Sequence, residues 1–142
     1  MKRSTVTLLE QGKRAREAAV ILAKTSTARK NQALIHIADF ILDHKDEVLE
    51  ANACDINSGN GVNDAFMDRL VITPERLSKM AEDVRNIAKL DDPVGEVYDM
   101  NTRPNGLRIG KKRVPLGVIG SIYESRPNVT LDISSLCLKS GN

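Results

Sequence analysis

Apolar residues recur every three or four positions through the first part of the chain, which predicts a series of amphipathic helices. The first helix follows Thr7, which fits the N-cap of a capping box in which Glu10 reaches back to the cap. Its apolar face comprises Leu8, Ala15, Ala18, Ala19 and Leu22. A second helix starts within residues 25–27, and a break is expected near residues 43–46. Its stripe comprises Ala33, Leu34, Ile37, Ala38, Ile41 and Leu42, and the pattern then continues to Val48 and Leu49.

The clearest helical signal begins at Thr73, a good N-cap that precedes Pro74 at the first helical position. The proline of Asp91-Asp92-Pro93 ends this helix, because proline disfavours helical backbone in the residue before it. Upstream, residues 55–63 are rich in Asn, Gly and Ser and predict a loop or a fraying helix end, followed by a short helix near 64–70. The apolar face of the long helix comprises Leu77, Met80, Ala81, Val84, Ile87 and Ala88.

The pattern changes after residue 95. Residues 97–103 and 107–114 flank Asn105-Gly106, a strong signal for a two-residue hairpin turn because both positions can take positive φ. Residues 115–123 lack a polar face, which predicts a strand covered on both sides, as in a parallel sheet between helices. A turn then leads into an apolar helix from about Val129 to Leu138, and Gly141 is well placed to end it.

A strand, a turn and a helix are half of a βαβ unit. The parallel partner strand is expected directly after Asn142, and a single buried parallel strand is not a stable sheet. The sequence therefore predicts an α/β protein in which this chain includes only the first part of the second domain. Residues 1–94 form an N-terminal helical region, and residues 95–142 hold the hairpin, one parallel-type strand and the helix after it. An open sheet edge also favours association with other copies.

The composition argues against several classes of protein. The 142 residues are 41% hydrophobic and 28% charged, which is typical of a soluble globular chain rather than a disordered one. The net charge of +2 is too small to indicate nucleic acid as a partner. No apolar run is long enough to cross a bilayer, and no signal peptide is visible. A cytoplasmic protein without membrane contact is expected.

The cysteines and histidines predict no metal site. Cys54 and Cys137 have no neighbours at metal-ligand spacing and suit neither zinc nor a disulfide scaffold. Cys137 lies in an apolar run and is expected to pack as a small hydrophobe, while Cys54 has no adjacent cation to activate it. His36 and His44 are more than two helical turns apart and are expected at the surface.

The strand-to-helix turn at residues 123–128 is the candidate site. In open α/β sheets, ligands bind beyond the carboxyl ends of strands, where the following helix favours anions. Arg126 suits a bidentate pair with phosphate or carboxylate, and Asn128, at or near the N-cap, could donate its amide N–H to an oxyanion. The alternative is that Asn128 only caps the helix and Arg126 is only a surface charge. A basic cluster on the hairpin has two interpretations. It is either a solvent-exposed strand edge, or a surface that attracts an anionic cofactor electrostatically. It comprises Arg108, Lys111, Lys112 and Arg113.

The sequence from Val114 to Asp132, which contains Tyr-Glu-Ser-Arg-Pro-Asn-Val-Thr, resembles the γ-glutamyl phosphate reductase family of the aldehyde dehydrogenase superfamily. The final residues Leu-Lys-Ser-Gly-Asn resemble it as well, as do segments around residues 68–76, 92–96 and 103–107. The resemblance covers essentially the whole chain. It implies that this is an N-terminal fragment, mostly helical, whose last part begins a Rossmann-type cofactor domain.

The resemblance also implies an activity. Members of the family reduce γ-glutamyl phosphate to glutamate 5-semialdehyde with NADPH and release phosphate, a step of proline biosynthesis. A cysteine thiolate displaces the phosphate, and hydride reduces the resulting thioester. Neither Cys54 nor Cys137 matches the motif of that nucleophile, so the chain alone is expected to be inactive. The alternative is a non-catalytic helical module for self-association or interaction, derived from a truncated gene.

By the same resemblance, Ser121, Ile122, Tyr123 and Glu124 line the dinucleotide near its nicotinamide half. Asn128 is the candidate oxyanion donor and Arg126 the candidate substrate-binding residue, although either of them suits the oxyanion position. The expected ligands are NADP and γ-glutamyl phosphate, with no metal and no nucleic acid. The expected protein partners are further copies of the enzyme and glutamate 5-kinase, which would supply the substrate.

Overall fold

The structure is a computed structural model of the chain, and it describes residues 7–58, 63–124 and 126–142. Over these ranges it is mostly helical with one antiparallel hairpin, as predicted. The helices are α1 Leu8–Leu22, α2 Thr27–Asp43, α3 Lys45–Ser58, α4 Asp64–Leu70, α5 Pro74–Lys89 and α6 Pro127–Ser140. The strands are β1 Val97–Thr102 and β2 Arg108–Lys112. The expected break near 43–46 is confirmed between α2 and α3, and part of the loop predicted at 55–63 lies outside the described residues.

Local capping explains where several helices begin. The side chains of Thr7 and Thr73 each accept a hydrogen bond of 3.2 Å from the backbone N–H three residues later, which confirms both predicted N-caps. The other half of the capping box, in which Glu10 reaches back to the cap, stays a prediction. One oxygen of the Glu10 carboxylate pairs with Arg14, one helical turn later, at 2.7 Å.

Helices α2, α5 and α6 pack around one core. Its buried residues lie on the two stripes that the sequence predicts, and Leu131 and Leu138 of α6 pack against them. Helix α1 has no buried residue, and all residues of the hairpin strands are exposed. The core therefore lies among three helices, with α6 as the element that joins it to the candidate site. Its buried members are Leu34, Ala38, Ala81, Val84 and Ala88.

Two lysines are buried between the ends of these helices. The Nζ of Lys30 lies 2.5 Å from a carboxylate oxygen of Asp92 and donates to the carbonyl of Lys139 at 3.0 Å. The Nζ of Lys139 donates to the carbonyl of Ala88 at 2.9 Å and to the side chain of Asn31 at 2.6 Å. Both ammonium groups thus contact carbonyls at helix C-termini, where the helix dipole favours cations. This network joins α2, α5 and α6.

The buried ion pair predicts how stability depends on pH. Burial raises the pKa of Asp92, but hydrogen bonds from Lys30, Thr27 and the Val94 N–H outweigh it, so the pKa lies below the usual 3.8. The ionised carboxylate therefore contributes stability above its unfolded pKa, and this contribution is lost as the pH falls through the folded pKa.

We expect the free energies of unfolding of the wild type and Asp92→Asn to differ most near neutral pH. They should converge as the pH falls from about 5 to about 2, because protonated Asp92 resembles the amide. Urea unfolding of both proteins across this range measures the gap. A gap that stays constant would contradict the assignment.

The hairpin turn differs from the prediction. The N–H of Gly106 donates to the carbonyl of Arg103 at 2.8 Å, so Pro104 and Asn105 are the central residues of the turn. The fixed φ of proline suits the first central position. Only Gly106 in the turn has positive φ, at 82°. The predicted two-residue Asn105-Gly106 turn is therefore wrong, because Pro104 moves the turn one residue earlier.

The hairpin charges are partly paired within the hairpin. An extra residue in β1 between Tyr98 and Asn101 forms a bulge. Asp99 lies in this bulge with a φ of 53° and pairs with Lys111 at 2.9 Å. Just beyond the strands, Arg113 pairs with Glu96 at 2.6 Å. These pairs favour the interpretation of the basic cluster as a solvated edge.

No strand forms over residues 115–123. Most of this segment is exposed, including Leu116 at 88%, and Gly117 takes a φ of 111°. A parallel strand needs a hydrogen-bonded neighbour, and within the described ranges the sheet contains only β1 and β2. The prediction of a buried parallel-type strand is therefore wrong for this chain. The segment is instead attached to the end of α6, since the Gly117 N–H donates to the Asn142 side chain at 2.9 Å.

Candidate functional site

The N-terminus of α6 begins two residues earlier than predicted. Arg126 is the N-cap residue but its side chain makes no capping hydrogen bond, and Pro127 occupies the first helical position. Asn128 is consequently the second helical residue. The alternative that Asn128 serves only as an N-cap is therefore wrong. At the other end, Gly141 ends the helix with a φ of 77°, as predicted.

The amide of Asn128 is held in place by its own helix. Its Nδ2 donates to a carboxylate oxygen of Asp132, one turn later, at 3.0 Å. An asparagine amide carries two N–H donors, so one remains for a ligand. Asp132 is half-buried and Asn128 is exposed. Sequence reasoning missed Asp132, although the four-residue spacing on one helical face was a visible signal.

A cleft of about 370 Å³ lies beside the N-terminus of α6. Both candidate substrate residues, Arg126 and Asn128, line it. The opposite side comes from α4, α5 and the residues between them, which the sequence analysis did not include. The volume is in the range of small-molecule clefts, roughly 300–1,000 Å³. The charged residues of that side are Asp68, Arg69, Arg76, Lys79 and Asp83.

The cations in the cleft have two different roles. Arg76 is held by the protein itself, because it donates to the carbonyls of Asp68 and Val71 at 2.6 and 2.9 Å and pairs with the Asp68 carboxylate at 2.9 Å. It thereby fixes the connection between α4 and α5. Among the residues that the structure describes, Arg69, Lys79 and Arg126 form no ion pair. These three cations are available to an anionic ligand.

Residues 121–124, predicted to contact the cofactor, lie outside this cleft. Ser121, Ile122, Tyr123 and Glu124 are all exposed on the segment that leads into α6. The hydroxyl of Tyr123 is hydrogen-bonded to the hydroxyl of Thr130 in the first turn of the helix. The structure thus brings Arg126 and Asn128 together in one cleft, and places the four other residues on the surface that precedes it.

Neither cysteine lies in the cleft. Cys54 is exposed on α3, and Cys137 is half-buried on α6. Over residues 7–58, 63–124 and 126–142, no group of His, Cys, Asp and Glu is arranged to hold a metal ion. In the same ranges, every helix is too short or too polar to cross a membrane.

Known proteins resemble this chain in sequence and in structure, although no family model matches it. A γ-glutamyl phosphate reductase from Photorhabdus laumondii is 55% identical in an alignment of length 138 that covers 95% of this chain and 33% of the relative. One from Dehalococcoides mccartyi is 53% identical in an alignment of length 144, gaps included, that covers 100% of this chain and 34% of the relative. This chain is homologous to the γ-glutamyl phosphate reductases.

Solved γ-glutamyl phosphate reductases share the fold. The crystal structure from Thermotoga maritima matches with a TM-score of 0.91 at 44% identity, and covers 95% of this chain and 33% of its own. The one from Saccharomyces cerevisiae matches with a TM-score of 0.88 at 31% identity over 96% and 36%. The resemblance seen in the motifs is thereby confirmed. The chain spans about a third of the length of the curated relatives that it matches.

Proposed function

We propose that a full-length enzyme carrying this segment reduces γ-glutamyl phosphate to glutamate 5-semialdehyde with NADPH and releases phosphate, as a step of proline biosynthesis. The observation that carries the proposal is the convergence of Arg126 and Asn128 in one cleft of a chain homologous to γ-glutamyl phosphate reductases. The names of these relatives supply the substrate, and the cleft supplies groups that suit an acyl phosphate.

The residues of the cleft have separate roles in this reaction. The guanidinium of Arg126 binds the phosphate of the substrate, and the free N–H of Asn128 donates to the acyl oxygen as it becomes negatively charged. Asp132 keeps the amide of Asn128 in a fixed orientation. In this family a cysteine thiolate from outside this chain attacks the acyl carbon, and phosphate leaves with the electron pair of the broken bond.

The cofactor contacts are a further part of the proposal. Bound NADPH supplies the hydride that converts the acyl group into an aldehyde. Ser121, Ile122, Tyr123 and Glu124 fit a dinucleotide-lining role because their side chains are exposed and outside the core. Thr130 orients the hydroxyl of Tyr123. We also propose that residues 1–94 form the helical region and residues 95–142 the start of the cofactor domain.

We propose a cytoplasmic enzyme that receives its substrate directly from glutamate 5-kinase. An acyl phosphate hydrolyses readily in water, so direct transfer from the enzyme that makes it would limit its loss. The same proposal involves no membrane, and it involves no nucleic acid because the net charge of this segment is only +2.

An assay in the reverse direction tests the proposed activity. A full-length enzyme carrying this segment should reduce NADP with glutamate 5-semialdehyde only when inorganic phosphate is present. The isolated 142-residue chain should be inactive, because neither Cys54 nor Cys137 reaches the cleft. Phosphate-independent reduction would contradict the acyl phosphate chemistry. Turnover by the isolated chain would contradict the assignment of the nucleophile to another part of the enzyme.

The exposed apolar side chains predict that the isolated chain self-associates. Leu116 is 88% exposed, and Ile122 is fully exposed. Large apolar side chains that are this exposed favour contact with another protein surface. This observation favours the alternative of a self-association module, and on the same ground we propose that the full-length enzyme is a homo-oligomer.

We therefore expect the mass of the isolated chain in light scattering to rise with concentration. The double variant Leu116→Asp/Ile122→Asp should shift the association to higher concentration by about tenfold or more. The variant Asn105→Asp, at the exposed hairpin turn, should behave as the wild type does. A wild-type chain that stays monomeric at every concentration would contradict this prediction.

A further inference from the structure

One face of α5 contributes both positively and negatively charged side chains to the lining of the cleft. Arg76, Lys79 and Asp83 recur at helical spacing and line it together. Arg76 is engaged by the connection to α4, as described above. Lys79 and Asp83 are four residues apart, yet they form no ion pair with each other or with other described residues. Asp83 is half-buried and lines the cleft, so its carboxylate is available to a cationic group of a ligand.

We propose that this face of α5 binds the α-amino acid end of the substrate. Asp83 accepts hydrogen bonds from the α-ammonium group, and Lys79, with Arg69 from α4, holds the α-carboxylate. The inference rests on the proposed function and adds to it the residues that recognise the amino acid. An α-amino acid carries a positive and a negative group on one carbon, and the cleft offers a partner for each.

The alternative ligand for these residues is a second phosphate group. Phosphate carries only negative charge, so Lys79 and Arg69 suit it but Asp83 repels it. The presence of Asp83 in the same cleft lining as Lys79 and Arg69 therefore favours the zwitterion. Specificity arises in the same way, because a ligand that lacks the ammonium group leaves Asp83 without its partner.

The proposed orientation spans the cleft from α5 to α6. The amino acid end lies against α5, and the acyl phosphate end lies against Arg126 and Asn128. Met80 lines the cleft on α5 and offers an apolar surface to the two methylene groups of a glutamyl chain. The substrate thus meets charged groups at both ends and an apolar side chain at its centre.

Titration of the isotope-labelled 142-residue chain, followed by NMR, tests this inference. The probe is L-glutamate γ-methyl ester, whose γ-carbonyl is uncharged as in the acyl substrate. Two comparison ligands each lack one charged group: monomethyl glutarate has no ammonium, and 4-aminobutyrate methyl ester has no α-carboxylate. We expect saturable shifts at α4 and α5 with the probe, and binding weaker by about tenfold or more with each comparison ligand.

Variants assign the two charges. Asp83→Asn should weaken binding of the probe about tenfold and leave monomethyl glutarate unchanged, whereas Lys79→Gln should weaken both. Glu82→Gln is the matched control, because Glu82 is exposed on the same helix outside the cleft. Equal binding of all three ligands, or no saturable shifts with the probe, would overturn the inference. The reverse assay tests the proposed function separately, since it measures turnover and uses no binding data.

Discussion

Replacing Lys30 with methionine is expected to lower the free energy of unfolding by about 3–5 kcal/mol, the usual cost of breaking a buried ion pair. The side chain of Lys30 is completely buried and that of Asp92 is 9% exposed, so the substitution leaves a carboxylate without its cation. It also removes the hydrogen bond to the carbonyl of Lys139 that joins α2 to α6. Urea unfolding near neutral pH measures the effect.

The chain supplies a matched control for this prediction. Arg85 and Asp39 also form an ion pair between α5 and α2, at 2.6 Å, but their side chains are 37% and 51% exposed. Arg85→Met should therefore cost less than about 1 kcal/mol. Adding Asp92→Leu to Lys30→Met should recover much of the loss, because it removes the unpaired charge. If Lys30→Met costs no more than Arg85→Met, the buried network does not stabilise the fold as described.

Replacing Asn128 with alanine in the full-length enzyme is expected to lower kcat about 10²–10³-fold, the usual cost of losing an oxyanion donor. The free energy of unfolding should change by less than about 0.5 kcal/mol, since Asn128 is exposed. Steady-state kinetics of the reverse reaction, together with urea unfolding, separates the two effects.

Two further variants specify the role of Asn128. Ser134→Ala changes an exposed residue of the same helix outside the cleft and should leave kcat unchanged. Asp132→Asn should lower kcat less than Asn128→Ala does, because it loosens the amide without removing it. An Asn128→Ala enzyme with kcat within about twofold of the wild type would contradict the proposed role of Asn128 as an oxyanion donor.

Local sequence patterns predicted the helices well because their causes are local. Thr73 and Pro74 define the start of α5 through one hydrogen bond and one fixed dihedral angle. The buried lysines were not predicted, because a lysine in an apolar stripe is ordinarily expected to reach solvent. Lys30 stands four residues before Leu34, on the same helical face, and only the positions of Asp92 and α6 explain its burial.

The segment 115–123 shows where a local sequence pattern is not enough to predict the structure. Its apolar residues correctly indicate a surface that favours burial, but periodicity says nothing about what covers it. In this chain the segment stays exposed, because no described strand pairs with it. The turn at Pro104 shows that a local signal also fails when a neighbouring residue competes for the same position.

The sequence predicted only the part of the candidate site that lies at the start of α6. Arg126 and Asn128 follow from the general preference of ligands for helix N-termini after a strand. Arg69, Lys79 and Asp83 are more than 40 positions away in the sequence. Lys79 and Asp83 join the cleft because α5 packs against α6, and Arg69 joins it from α4, which directly precedes α5. Long-range packing of that kind leaves no local pattern to read.

In the proposed mechanism, Asn128 stabilises the acyl oxygen of the substrate. The most direct measurement is a crystal structure of the full-length enzyme with the γ-glutamyl thioester trapped in the absence of NADPH. We expect Nδ2 of Asn128 to lie about 2.7–3.1 Å from the thioester oxygen, with Asp132 still accepting from the same amide. A thioester oxygen that is bound by other groups and out of reach of Asn128 would contradict it.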